Sequence, residues 1–157
     1  MFHDGTIHDV VIRDLMKYTD ARGWLSELFR EDEIEKKYFP AMAYISMTNA
    51  GIARGPHEHA DQADFFAFIG PSNFKIYLWD NRKESPTFRS KIVFTAGEES
   101  PKSLIIPPGV VHAYKNIGTS VGMVVNFPNR LFAGIGKKEP VDEIRHENQA
   151  DSQFLLD

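Results

Sequence analysis

Three histidines in two short runs are the residues of this chain best equipped for chemistry. His57 and His59 flank Glu58 in Arg54-Gly55-Pro56-His57-Glu58-His59, and His112 follows Pro107-Pro108-Gly109-Val110-Val111. On an extended strand, residues two apart share a face, so the first two imidazoles point the same way. Imidazole serves two kinds of site. It ligates divalent transition metals through a neutral ring nitrogen, or it carries protons to and from carbon near neutral pH. The residues alone leave both open. For a metal, Asp64 offers a fourth donor, and three imidazoles with one carboxylate suit Fe(II), Mn(II), Ni(II) or Zn(II) with positions left for substrate. Asp64 also has a plainer reading, as a solvated residue beside Asp61 and Gln62.

The rest of the chain must position these side chains, and its pattern is that of short strands. Apolar runs recur at Val10–Ile12, Trp24–Phe29, Met42–Met47, Phe65–Ile69, Phe74–Trp79, Lys91–Thr95, Ser103–Ile106, His112–Asn116 and Gly122–Phe127, each closed by a turn signal. Turns every ~8–12 residues predict an all-β sandwich or barrel. The charged stretch Glu31–Lys37 is expected to form one helical turn or a loop. Phe65, Phe66, Phe68, Phe74, Tyr77 and Trp79 read first as core or sheet-interface aromatics.

The chain has 157 residues, with 42% hydrophobic, 25% charged, a net charge of -4 and no cysteine. That length predicts a single domain over 1–157. The interspersed charges argue against a nucleic-acid surface. The lack of cysteine excludes disulfides, thiolate metal sites and a cysteine nucleophile. Neither a signal peptide nor an apolar run of the ~20 residues needed for a membrane span is visible. These features predict a soluble, cytoplasmic protein.

Gly51, six residues ahead of His57, together with Pro107-x-Gly109-x-x-His112-x-x-x-Asn116, resembles the two motifs of the cupins. The resemblance implies a double-stranded β-helix, or jelly-roll barrel, in which Asp64 stands where the fourth cupin ligand is normally Glu. Further matches narrow the likeness. Asp20-Ala21-Arg22-Gly23-Trp24-Leu25-Ser26-Glu27, Arg54-Gly55-Pro56-His57, Asp80-Asn81-Arg82 with Ser85-Pro86-Thr87-Phe88, and Ile106 to His112 resemble segments of the dTDP-4-dehydrorhamnose 3,5-epimerase family. The resemblance implies an isomerase of deoxysugar or polysaccharide biosynthesis, with no cofactor and no metal. It would be a homodimer acting on a dTDP-4-keto-6-deoxy sugar by removing a proton next to the ketone.

By that likeness His57 is the base and Asp151, in the tail, its orienting partner, while Arg54 and His112 hold the keto oxygen. Arg22 and Glu27 contact substrate across the dimer, and Arg82 serves the pyrophosphate or else pairs with Asp80. His59, Tyr114 and Asn126 complete the substrate-binding set. The chain departs from the family's pattern in three places. No Tyr, the family's acid, occurs in Met123–Pro128, no Lys occurs in Gln62–Phe66, and His59 is retained. Two alternatives follow: a metal-dependent oxygenase or isomerase built on His57, His59, Asp64 and His112, or a cupin that binds sugar without turning it over.

Overall fold

A computed structural model describes residues 1–157. Thirteen strands account for nearly all the regular structure: β1 (His3–Asp4), β2 (Val11–Asp14), β3 (Tyr18–Asp20), β4 (Gly23–Leu25), β5 (Tyr44–Thr48), β6 (Ala53–Glu58), β7 (Asp64–Phe68), β8 (Asn73–Asp80), β9 (Ser90–Gly97), β10 (Lys102–Ile106), β11 (Val110–Asn116), β12 (Gly122–Asn126) and β13 (Ile144–Arg145). The only helical pieces are two 3-10 turns, Lys36–Tyr38 and Ile135–Lys137. Of the charged stretch Glu31–Lys37, expected as one helical turn or a loop, most is turn and loop, and the first 3-10 turn takes in only Lys36 and Lys37.

A six-stranded sheet, ordered β1-β9-β8-β11-β6-β13, faces a five-stranded sheet ordered β2-β10-β7-β12-β5. Pairing is antiparallel except where β1 runs parallel to β9. This is the jelly-roll arrangement that the strand spacing and the cupin likeness predict. The run Trp24–Phe29 is shorter as a strand than its apolar content suggests. Only Gly23–Leu25 is extended, paired with β3 in a separate two-stranded sheet.

The aromatic strands fill three apolar layers. Phe66, Phe68 and Phe74 meet Ile76, Leu78 and Leu104 in the lumen between the sheets. Tyr77 and Trp79 lie on the outer face of the six-stranded sheet, under Phe154 from the tail. Phe65 and Ile105 lie on the outer face of the other sheet, under Tyr38. Both faces of β7 are therefore covered, which is why Asp64–Phe68 is buried at every residue although the strand is not uniformly apolar.

The strand bearing the first two histidines sits between β11 and the short tail strand β13. Gly55 has φ +79° there, and a Cβ on it would stand 2.5 Å from the His112 carbonyl oxygen. Only glycine lets β6 come this close to β11, and the register shifts between His112 and Tyr114 at that point.

Candidate active site

Alternation along β11 puts Val110, His112 and Tyr114 on the lumen face, and His112 stands directly across from His57. His57 and His59 follow the same rule, with Glu58 turned to the outside. The three imidazoles cluster. The His57 and His112 ring centroids are 4.4 Å apart, and those of His57 and His59 5.7 Å.

From the opposite sheet β7 supplies Asp64, which is 2% exposed, so it is an interior carboxylate and not a solvated neighbour of Asp61. One of its oxygens, Oδ1, accepts from Gln62 Nε2 at 2.9 Å and Asn126 Nδ2 at 2.8 Å. The other, Oδ2, lies 3.1 Å from His59 Nε2. It also lies 3.2 Å from His112 Nε2, within ion-pair range but off the line of a hydrogen bond. His112 Nδ1 donates to the Val110 carbonyl at 3.1 Å, and His59 Nδ1 donates to the Asp142 carbonyl.

Two imidazoles on one strand acquire opposite electrostatics from these neighbours. His57 makes no hydrogen bond; burial, then the nearby His112 and His59, push it down to about 2, so it is uncharged at neutral pH. For His59 burial works the same way, but the hydrogen bond and charge of Asp64 outweigh it and push the ring up to about 9. Against the effect of its own burial, the two imidazoles hold the Asp64 carboxyl well below the usual carboxylate range. The site at neutral pH is thus a free neutral base beside an imidazolium–carboxylate pair.

A cavity of about 1190 Å³ opens over this cluster, lined by His57, His59, Arg54, Tyr44 and Tyr114 and roofed by tail residues such as Asp142. Its volume suits a ligand larger than a monosaccharide. Arg54 donates to Thr48 Oγ1 at 3.0 Å and to the Met47 carbonyl at 2.8 Å, which holds its guanidinium at the cavity wall. Tyr114 is buried, with its hydroxyl 3.2 Å from Ser46 Oγ.

Several residues offered by the sequence lie elsewhere. Asp151 is exposed in the tail and makes no bond to His57. The tail does fold back on β6, but earlier: Arg145 of β13 lies opposite His57 in the strand register, and the Asp142 carboxylate caps the backbone N–H groups of Ala60, Asp61 and Gln62. Arg82 is bound to the fully buried Asp80, at 2.8 Å from Nε, and to the His8 carbonyl, outside the cavity; of its two readings, the structure shows the ion pair with Asp80 and not a pyrophosphate contact at the cavity. Asn126 is fully buried and holds Asp64, so it positions the site without reaching a ligand. His112 lies behind His57 and does not line the cavity. Arg22 and Glu27 are exposed on and beside the β3–β4 hairpin, paired with Asp20 and Arg30, and do not line the cavity.

Tyr44 and Asp142 went unnoticed in the sequence. For Tyr44 a signal was present: Tyr44-x-Ser46-x-Thr48 puts three hydroxyls on one face of β5, where they meet Asn126, Tyr114 and Arg54. Asp142 had none, because only the return of the tail makes it a neighbour.

One ring nitrogen from each of His57, His59 and His112 lies within 4.8 Å of the others, so these three are also the residues that would hold a divalent cation. Fold and site together define a jelly-roll barrel with an uncharged imidazole facing a large cavity. Residues 4–129 match the dTDP-4-dehydrorhamnose 3,5-epimerase family, and the chain belongs to it.

Over 127 residues it is 36% identical to the "Probable low-salt glycan biosynthesis epimerase Agl13" of Haloferax volcanii, covering 80% of this chain and 81% of that one. Over 121 residues it is 33% identical to the spore coat polysaccharide biosynthesis protein SpsL of Bacillus subtilis, covering 77% and 79%. A solved dTDP sugar isomerase from Desulfovibrio desulfuricans superposes with a TM-score of 0.79 at 19% identity, over 96% of this chain and 91% of the other, and shares the fold. Membership makes the chain an isomerase-class enzyme of sugar-nucleotide chemistry, in a family that works without a cofactor. No helix is long and apolar enough to cross a membrane.

Proposed function

We propose that this protein epimerises a dTDP-linked 4-keto-6-deoxy sugar, with His57 removing the proton from a carbon next to the ketone. The observation that carries this reading is the state of His57: a half-buried, uncharged imidazole with no hydrogen-bond partner, facing a cavity of about 1190 Å³. An unpaired neutral imidazole is free to accept a proton, and the negative charge developing on the sugar offsets the cost of charging the ring. Arg54 and the cationic His59 supply that offset: both line the cavity, Arg54 with a guanidinium nitrogen still free to donate and His59 through its charge, since its ring N–H groups are held by Asp142 and Asp64. In this reading His59, kept charged by Asp64, takes the place of the lysine missing from Gln62–Phe66. His112 packs behind His57 and fixes its plane, and Tyr114 forms the wall beside Arg54.

The protein acts as a single domain over 1–157, paired in a homodimer whose second copy brings Arg22 and Glu27 to this cavity. Their exposure on a hairpin away from their own site supports that arrangement. The reaction takes place in the cytoplasm, within polysaccharide or deoxysugar biosynthesis. Incubation with dTDP-4-keto-6-deoxyglucose in deuterated water tests the proposal. Deuterium should appear at C3 or C5 by NMR; no exchange across several 4-keto sugar nucleotides would overturn it.

A further inference from the structure

We propose that the phenol of Tyr44 is the acid that returns a proton to the substrate carbon on the face opposite His57. The inference rests on the epimerase reading above and concerns how inversion is completed. Inversion requires that the proton leave one face of the planar enolate and return on the other. His57 belongs to β6 of the six-stranded sheet, so the acid must reach the substrate from the opposite side of the lumen. The strand that follows His112 holds no tyrosine, and the position facing the site there is Asn126.

Tyr44, on the neighbouring strand β5 of the five-stranded sheet, is directly paired with Asn126 and lines the cavity. Tyr114, the other cavity phenol, lies on β11 next to the base's own strand, is only 4% exposed and is engaged with Ser46. It stands on the base's side of the lumen, and its hydroxyl is already engaged. Ser46 is an aliphatic alcohol, far less acidic than a phenol.

The hydrogen bonding of Tyr44 is that of a proton donor in waiting. The amide of Asn126 is oriented from both ends: its Oδ1 accepts the Phe65 N–H at 3.1 Å, and its Nδ2 donates to Asp64 Oδ1 at 2.8 Å. The same Nδ2 donates to the Tyr44 oxygen at 2.9 Å. The phenol therefore accepts from Asn126, which leaves its own O–H hydrogen unspent and free to point at a ligand. When that hydrogen leaves, the amide N–H is already placed to stabilise the phenolate. Removal of the hydroxyl end from water raises the phenol to about 12, so it is protonated when substrate arrives.

The step balances. The His57 lone pair takes the proton, and the C–H electron pair becomes the enolate double bond while the carbonyl pair moves onto oxygen. Collapse of the enolate returns that pair to carbon, which takes the Tyr44 proton and leaves a phenolate. Solvent then reloads the phenol and unloads the imidazolium.

Tyr44→Phe separates the two halves of the reaction. With dTDP-4-keto-6-deoxyglucose in deuterated water, His57 in this variant should still exchange the substrate's proton on its own face. Deuterium then enters unepimerised substrate, while inverted product falls by about 100-fold or more. His57→Asn should lose both. The ratio of inversion to exchange comes from the same folded molecules, so it holds even if the variant is less stable. The proposal is overturned if Tyr44→Phe inverts as fast as it exchanges, if it loses both together as His57→Asn does, or if the ratio moves with Tyr114→Phe instead. Wild-type protein that exchanges nothing overturns the epimerase reading itself, and this proposal with it.

Discussion

Strand β6 carries a buried meeting of imidazole and carboxylate on each face. On the outer face Glu58 Oε1 accepts from His146 Nε2 at 2.8 Å and from Asn81 Nδ2 at 2.9 Å, and the His146 ring packs 4.6 Å from Phe154. Both ring nitrogens of His146 are bonded there, Nδ1 facing Gln149 Oε1, and none of these residues lines the cavity. On the lumen face His59 and His112 converge on Asp64, but His57, beside them, has no polar partner and opens onto the cavity. The same side-chain types therefore do two jobs. The outer set clamps the tail onto the barrel. The inner set leaves one base free and keeps a charge next to it. What distinguishes the lumen face is an unpaired imidazole facing an opening, since a His–carboxylate pair is present on both faces.

The comparison can be broken most directly at His57. Replacing it with Asn should lower proton exchange by about 10² to 10⁴, with only a small change in melting temperature because no hydrogen bond is lost. Substrate NMR and thermal melts on one sample read both quantities. Asp64→Asn should be the more damaging change to the fold. It strips the His59 imidazolium of its buried counter-charge, an effect of about 3–5 kcal/mol in urea unfolding, and slows turnover as well.

On the outer face, His146→Ala should cost about 1–3 kcal/mol by leaving a buried Glu58 short of a donor. Because the tail roofs the cavity, its kinetic effect should fall on KM and not on kcat. Equal losses in kcat from His146→Ala and His57→Asn would erase the distinction between the two faces.

The pH dependence of stability sharpens it further. His57 is shifted from its usual 6.5 down to about 2, so below pH 6.5 the unfolded chain takes up a proton that the folded one refuses, and stability falls. His59 is shifted from 6.5 up to about 9, so its contribution is complete below pH 6.5 and is lost as pH rises from 6.5 to 9. The two limbs predict a maximum near pH 6.5 in urea titrations. The His57 variant should flatten only the acid limb, and His59→Gln only the alkaline one. The smallest expected effect is that of a chelator. Treatment with EDTA should leave exchange unchanged and the purified protein without stoichiometric metal; loss of activity that Zn(II) or Fe(II) restores would make the inner face a metal site.

Much of this arrangement was readable in the chain. Strands of five to eight residues with turns between them specify a jelly roll, because period-two burial and turn chemistry are local properties. The spacing of His57 and His59 placed both on one face, and Pro107-Pro108-Gly109 announced the start of the strand that carries His112. The aromatic runs announced their own burial. The largely exposed stretch Trp24–Phe29 misled, because β3 offers it only a short edge, which pairs as far as Leu25.

Residue types and spacing thus determined the barrel, the three imidazoles and the family to which they belong. Tertiary structure alone decided which carboxylate they meet, since Asp64 arrives from the opposite sheet while Asp151, which the tail alignment favoured, stays at the surface. It also decided that Arg82 turns to Asp80, that Asn126 holds Asp64, and that Tyr44 stands across the cavity from His57. Electrostatic roles depend on distances of about 3 Å between groups far apart in sequence, and in burial deep enough for those distances to matter. Periodicity tells a side chain which face to take; only the closed barrel tells it what it will find there.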